Sequence, residues 1–264
     1  MKPVLSPQAL WLLGLFALIS LPVAAAECSA TSGRNRVALL ELYTSEGCSS
    51  CPPADRWLSG LAAAGYAGDR VIPLALHVDY WDTIGWKDRF AKPGFSARQR
   101  EMAGLGHAGF VYTPQVMLNG RDYLGVGNPA RFAADIAAIN RNPARANIQL
   151  TLSQPGADSL EVSAAAQAGK QDSPLLYVAL YENNLNTAVR AGENGGASLH
   201  HDYVVREWLG PYPIDKTTTP WRHKLRLDPE WKSPEMGVAA FVQSRASGEV
   251  LQAMALKLCE DGRH

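Results

Sequence analysis

Apolar residues are distributed in two styles along this chain: continuous or helically spaced in the first half, mainly alternating in the second. Val37-Ala38-Leu39-Leu40-Glu41-Leu42-Tyr43 is a nearly unbroken apolar run, which predicts a strand covered on both faces. Thr44-Ser45-Glu46-Gly47 is a polar turn leading into Cys48-Ser49-Ser50-Cys51. From Pro52 to Gly65, Ala54, Trp57, Leu58 and Leu61 recur at helical spacing. Val71 to Val78 predicts a second buried strand, with an irregular start imposed by Pro73. A long connection from Asp79 to about Gly109 carries Tyr80, Trp81, Trp86, Phe90 and Phe95, and its Ser96–Leu105 segment reads as a helix. Asn119-Gly120 between two short apolar runs predicts a two-residue hairpin. Asn128-Pro129 then caps a helix over Ala130–Asn140, with Phe132, Ile136 and Ile139 on one face. The order is β-α-β-α-β-β-α.

After Arg141-Asn142-Pro143 the pattern becomes one of alternating segments: Asn147–Leu152, Leu160–Ala165, Leu175–Tyr181, Tyr203–Trp208, Trp221–Leu227, Met236–Gln243 and Val250–Leu258. Such strands with little helix between them point to an antiparallel sandwich. The fold expected is therefore an α/β domain (34–142) followed by a mainly antiparallel β-sandwich-like domain (146–260). Before both lies a segment with Lys2, an apolar run from Ala9 to Ile19, Pro22 and Ala24-Ala25-Ala26. The run is shorter than the roughly 20 residues of a spanning helix, so residues 1–26 read as a cleaved signal peptide. Glu27 before Cys28 argues against a lipoprotein. The expected location is periplasmic or secreted, with no stable membrane insertion after cleavage.

The charges balance, with 25 basic and 25 acidic residues. No basic stripe suggests nucleic acid and no polybasic helix suggests a membrane surface. Cysteines are more informative. Export favours disulfides, and Cys28, Cys48, Cys51 and Cys259 allow three connectivities. Local spacing favours Cys48–Cys51, which leaves Cys28 with Cys259; the alternative for the latter two is a pair of free thiols.

The nucleophile of thiol–disulfide exchange is a thiolate. Cys48 stands at a strand-to-helix junction, where backbone N–H groups and the helix dipole favour an anion. Cys51, with two residues intervening in the first turn, is close enough to bridge it. A second Cys-x-x-Cys is absent, which argues against a four-cysteine zinc site. Thr113-Pro114 directly precedes the hairpin. With these features the chain resembles the thioredoxin superfamily. The run from Leu42 to Asp55, the segments His77–Asp82 and Gly85–Asp88, and Gly192-Glu193-Asn194 with His200–Arg206 resemble an uncharacterised family of secreted two-domain thioredoxin-like proteins. That resemblance implies an exchange site in which Cys48 attacks and Cys51 resolves. It also implies a cis bond before Pro114, packed against the disulfide, with the Thr113 backbone on bound substrate. Clients would be protein thiols or disulfides, and no organic cofactor or metal is implied.

Departures from the superfamily pattern bear on the chemistry. Ser49-Ser50 replaces Gly-Pro, which leaves redox direction open, and Pro52-Pro53 could delay the helix. The buried acid that thioredoxins carry six residues ahead of the first cysteine is Leu42 here. Glu41 is a proton acceptor only if the turn is one residue longer. His77, Asp79, Trp81 and Trp86 lie near the end of the second strand, where α/β sheets bind ligands, and are candidate groove residues; their alternative is core packing and loop capping. Glu182, Glu193, His200 and His201 could suggest a metal, but hairpin-loop structure is the simpler reading, and neighbouring histidines on a strand point to opposite faces. The redox reading makes the chain an oxidoreductase and requires that the two sulfurs not be sealed under packed residues. The rival is a non-enzymatic envelope binding or assembly protein with a permanent Cys48–Cys51 staple.

Overall fold

The computed structural model describes residues 26–66, 68–156, 158–214 and 220–259. The expected signal peptide, apart from its last residue, lies outside them. Among the described residues no helix is long and apolar enough to cross a membrane.

A strand that periodicity did not reveal, β1 (Ala26–Thr31), comes first. The buried run forms β2 (Ala38–Thr44), which pairs in parallel with β3 (Val71–His77). The crossover between them contains α1 (Pro52–Ser59), with Pro52 and Pro53 in its first turn, so the prolines do not delay the helix. Regular helix stops six residues before the expected Gly65. The chain continues as turns that close with Tyr66 N–H donating to the Leu61 carbonyl across left-handed Gly65, φ 81°. After the aromatic connection comes α2 (Pro93–Leu105), which Pro93 starts three residues earlier than expected. β4 (Gln115–Leu118) runs antiparallel to β2, and Asn119-Gly120, with φ 48° and 79°, turns the chain into the short β5 (Arg121–Asp122). In α3 (Pro129–Arg141), the Asn128 side chain accepts from Arg131 N–H.

The second half supplies β6 (Ala146–Gly156), β7 (Ser159–Ala168), β8 (Pro174–Glu182), β9 (Leu185–Ala188), β10 (Ser198–His201), β11 (Val204–Pro213), β12 (Trp221–Arg226), β13 (Met236–Ser244) and β14 (Val250–Lys257). The protein is thus mostly β, with three helices among the described residues. An antiparallel sheet has the order β1-β6-β7-β12, and β9 pairs with β10. An eight-stranded mixed sheet runs β14-β13-β8-β11-β3-β2-β4-β5. Strands from both sides of the 142/146 boundary share that sheet: β11 is antiparallel to β8 and touches β3 in parallel, with Val204 opposite Ala75. A disulfide between Cys28 and Cys259, Cα atoms 5.7 Å apart, joins β1 to the chain just past β14.

The large sheet is covered on both faces, so its central strands alternate between two apolar environments. Tyr177, Ala179, Ala239 and Phe241 join Leu39 and Tyr43 against α2, through Phe95 and Met102. On the opposite face Val178, Leu180, Val238 and Ala240 meet Ile148, Leu150, Leu160 and Val162 of the four-stranded sheet. Beside them Leu40 and Leu42 meet Leu58 of α1 and Phe132 and Ile136 of α3.

One charged group sits inside the α2 layer. Arg98, 4% exposed, donates through Nε and Nη2 to both Glu41 oxygens (2.8 and 3.2 Å) and through Nη1 to Gln243 at 3.0 Å. Its guanidinium lies over the rings of Tyr177, Trp208 and Phe241 at 4.8, 4.9 and 5.4 Å. The pair thereby ties α2 and β2 to β8, β11 and β13. Breaking such a pair from one side leaves an uncompensated charge and costs about 3–5 kcal/mol, whereas an apolar replacement of both partners is far milder. Urea unfolding should therefore show Arg98→Met destabilised by that amount, with Arg98→Met/Glu41→Leu recovering most of the loss. Additive losses would mean the two charges are not coupled.

Candidate functional site

Cys48 and Cys51 form a disulfide at the N-terminus of α1, with Cα atoms 5.4 Å apart. Cys51 is the N-cap residue: its carbonyl accepts from Ala54 N–H at 2.9 Å and Asp55 N–H at 3.1 Å. Ser49 and Ser50 are exposed. Ser50 Oγ lies 3.3 Å from Cys48 Sγ and donates to the Thr113 carbonyl at 3.5 Å, which brings the cysteine loop beside the hairpin entry. The Thr113–Pro114 bond is cis. Trp81 Nε1 donates to Thr113 Oγ1 at 2.7 Å, and a Cβ on Gly47 would come within 3.3 Å of Trp81 Cβ, so Trp81 bridges the cysteine loop and the hairpin entry.

Both cysteines are 0% exposed. A strap, the loop between β9 and β10 that holds Gly192-Glu193-Asn194, is tied to the cysteine loop. Asn194 Nδ2 donates to the Glu46 carbonyl at 2.8 Å and the Cys48 carbonyl at 2.9 Å. Glu193, fully exposed, accepts from Ser49 N–H at 3.0 Å, and its hydrogen bonds with the Ser49 side chain and backbone hold its carboxyl below the usual range. The strap crosses the aromatic connection where two left-handed glycines meet: a Cβ on Gly85 would lie 3.1 Å from the Gly192 Cα.

Beneath the cysteine loop lies a buried polar cluster. Glu46, Asp55, His77, Asp88, Thr187 and His201 come from the 44–47 turn, α1, β3, the connection, β9 and β10, and all are less than 9% exposed. His77 Nδ1 and Asp88 Oδ2 are 2.6 Å apart. Burial opposes both charges, but their mutual attraction and hydrogen bond prevail, holding His77 above and Asp88 below its ordinary value. His201 Nε2 is 3.4 Å from Glu46 Oε1, its Nδ1 is 3.9 Å from Asp55 Oδ2, and its ring is 5.0 Å from that of His77. Trp86 Nε1 donates to Glu46 Oε2 at 2.9 Å. Against the upward pull of burial, the neighbouring His201 and Thr187 and the Trp86 hydrogen bond keep Glu46 low, with Asp88 repelling it. Asp55 is raised by burial, with His201, His77 and Thr44 offsetting part and Asp88 adding to it.

Among the predicted residues, Trp81 and Trp86 lie against the cysteine loop. His77 sits in the buried cluster, while Asp79 is tied to Ser96 Oγ at the start of α2. Glu41 needs correcting as a proton acceptor. It points to the α2 face, in the ion pair with Arg98, whereas α1 packs on the opposite face through Leu40 and Leu42. The turn carries no extra residue, so the one-residue offset holds. Glu46 and Asp55 flank the cysteines in the chain and both face His201, and alternation on β10 buries His201 and exposes His200. Among the described residues no three His, Cys, Asp or Glu side chains are grouped as a metal would need.

Fold and site together define a mostly β protein that carries a bridged Cys-x-x-Cys at a helix N-terminus, under a strap from its second half. The chain belongs to the family described as protein of unknown function (DUF1223), whose model matches residues 39–243. No curated protein matches it. Among solved structures it is similar to protein AGR_C_4864 of Agrobacterium tumefaciens, at 26% identity and TM-score 0.62 over 88% of this chain and 99% of that one. It is also similar to HBP35 of Porphyromonas gingivalis, at 16% identity and TM-score 0.66 over 88% and 79% of the two chains. The second likeness concerns the fold alone.

Two outcomes are expected here. Asn194→Ala removes two hydrogen bonds from the strap, each worth about 1 kcal/mol, so dithiothreitol should reduce Cys48–Cys51 up to about thirtyfold faster in a stopped-flow tryptophan assay. An unchanged rate would locate the cover elsewhere. The His77–Asp88 pair stabilises above the unfolded Asp value near 3.9 and below the unfolded His value near 6.5. Its contribution is lost as pH falls through the depressed Asp88 value or rises through the elevated His77 value. Asp88→Asn should therefore lower the urea midpoint most within that window.

Proposed function

We propose that this protein is an exported thiol–disulfide oxidoreductase of thioredoxin-like type, acting in the cell envelope on protein thiols or disulfides. Residues 34–142 are its exchange unit and 146–260 its sandwich-like partner. Cys48 is the attacking sulfur, Cys51 the resolving one, and Thr113 and Pro114 shape the client groove. The observation that carries the reading is the Cys48–Cys51 bridge at the α1 N-terminus, alongside the Thr113 carbonyl. There, unsatisfied backbone N–H groups favour a thiolate, and the exposed Ser49-Ser50 pair marks the approach.

The zero exposure of both cysteines favours a second reading, in which the bridge is a permanent staple in an envelope binding or assembly protein. The two differ in redox poise. An exchange site equilibrates with glutathione, whereas a structural disulfide lies below roughly −300 mV.

In the test, Cys51→Ala is treated with oxidised glutathione and the adduct located by peptide mass spectrometry. The exchange reading expects a stable adduct on Cys48, formed at least tenfold faster than on Cys51 of Cys48→Ala. A wild-type bridge that stays closed in every glutathione buffer would establish the staple instead.

A further inference from the structure

Glu193 and Asn194 take no part in the exchange chemistry above, yet their side chains converge on one peptide group. The Cys48–Ser49 peptide is held at both ends by these consecutive strap residues. Its carbonyl accepts from Asn194 Nδ2 at 2.9 Å, and its N–H donates to Glu193 Oε2 at 3.0 Å. Cys48 N–H and Cys51 N–H, by contrast, donate locally to the carbonyls of Ser45 and Cys48, both at 3.2 Å. The donor that follows the attacking sulfur is thus given to an anion from the second half of the chain.

The strap presents these side chains from a formed turn. Gly195 N–H donates to the Gly192 carbonyl at 3.1 Å and Ala197 N–H to the Asn194 carbonyl at 3.0 Å, and Gly192 packs against Gly85. Glu193 keeps its charge at neutral pH, because it is exposed and its bonds with Ser49 hold it below the usual carboxylate range. Four covalent bonds separate the Ser49 nitrogen from the Cys48 sulfur. Carboxylate and sulfur therefore lie roughly 8 Å apart at most, inside the Debye length of about 10 Å at 0.1 M salt. Like charges so placed oppose each other, and an N–H bonded to a carboxylate is lost to a thiolate that would gain from it.

Resting on the redox reading above, we propose that Glu193 is a redox-sensitive clasp. It grips the Cys48–Ser49 peptide while Cys48 is bridged and is repelled once Cys48 is a free thiolate. A dithiol opens the bridge: the Cys48–Cys51 bond breaks, a disulfide forms in the dithiol, and its two hydrogens pass to the cysteines. Cys48 then gives its proton to solvent, and a negative sulfur stands beside the carboxylate. Such coupling is reciprocal. As far as Glu193 disfavours the thiolate, the thiolate disfavours the closed strap, and the β9–β10 hairpin carries the state of the cysteines into the second half. Glu193 is a positioning residue, acting through the peptide that it holds. The ionisable groups buried beneath the loop are Glu46 from the 44–47 turn, Asp55 from α1, His77 from β3, Asp88 from the connection and His201 from β10. All five are common to every protein compared in the test.

In the full chain carrying Cys51→Ala, the Cys48 thiolate is titrated by its ultraviolet absorbance. Adding Glu193→Gln keeps an acceptor for the Ser49 N–H and removes the charge. It should lower the Cys48 pKa by about half a unit or more at 0.1 M salt. The difference should vanish in about 1 M salt, where the Debye length is about 3 Å. In the protein with both cysteines, exchange of the Ser49 amide hydrogen is followed by NMR at one pH above the Cys48 pKa. It should quicken at least about threefold from disulfide to dithiol, and Glu193→Gln should narrow that change. An unmoved pKa, a shift equal at both salts, or a Ser49 amide equally protected in both states would overturn the clasp and leave the exchange reading intact. A bridge that no glutathione buffer opens would remove both.

Discussion

The burial of Arg98 against Glu41 constrains everything around it. A guanidinium inside an apolar layer must have a counter-charge and full hydrogen bonding, and here β2 supplies the carboxylate, β13 the amide and three rings the apolar cover. Because side chains alternate along a strand, fixing Glu41 toward α2 fixes Leu40, Leu42 and Thr44 toward α1. The cysteine loop begins where β2 ends, so the ion pair sets its position against strands of both halves. A slip of one residue would turn Thr44 away from Asp55 and expose Glu41 to the wrong core.

Two polar clusters thus lie on opposite faces of one sheet and differ in character. In the Arg98 cluster every guanidinium nitrogen has an acceptor. The cluster under the cysteines holds five ionisable side chains whose hydrogen-bonding capacity exceeds what they use. Low dielectric strengthens every interaction there and makes each unpaired atom costly.

The sequence revealed what depended on neighbours along the chain. Cys48-Ser49-Ser50-Cys51 before a proline-led helix, the Asn119-Gly120 hairpin and the Asn128 cap are local chemistry, and each is readable from a few residues. Contacts made across the fold were not. β9 and β10 are four residues each, too short for alternation to stand out. The strap they bracket reads as an ordinary Gly-rich loop until Asn194 is seen on the Cys48 carbonyl. His201 illustrates the limit well: alternation stated that only one of His200 and His201 could face a given cluster, but not which. Glu41 was weighed as an acid for the cysteines because the strand face was undetermined by one residue. The change of style after Pro143 was visible, yet nothing local could reveal that β11 would join β3 and carry the second half's strands into the same sheet.

The cover over the disulfide and the acid–base cluster beneath it are not independent parts. Asn194 and Glu193 sit in the loop of the β9–β10 hairpin, and His201 ends its second strand. The hairpin is held to α1 through Leu185 and Leu199 and the strap to the connection through the Gly85–Gly192 approach, where no side chain intervenes. The loop bonded to the Cys48 carbonyl and the strand that buries His201 beside Asp55 therefore belong to one short hairpin, and through it the second half of the chain reaches the cysteine loop of the first.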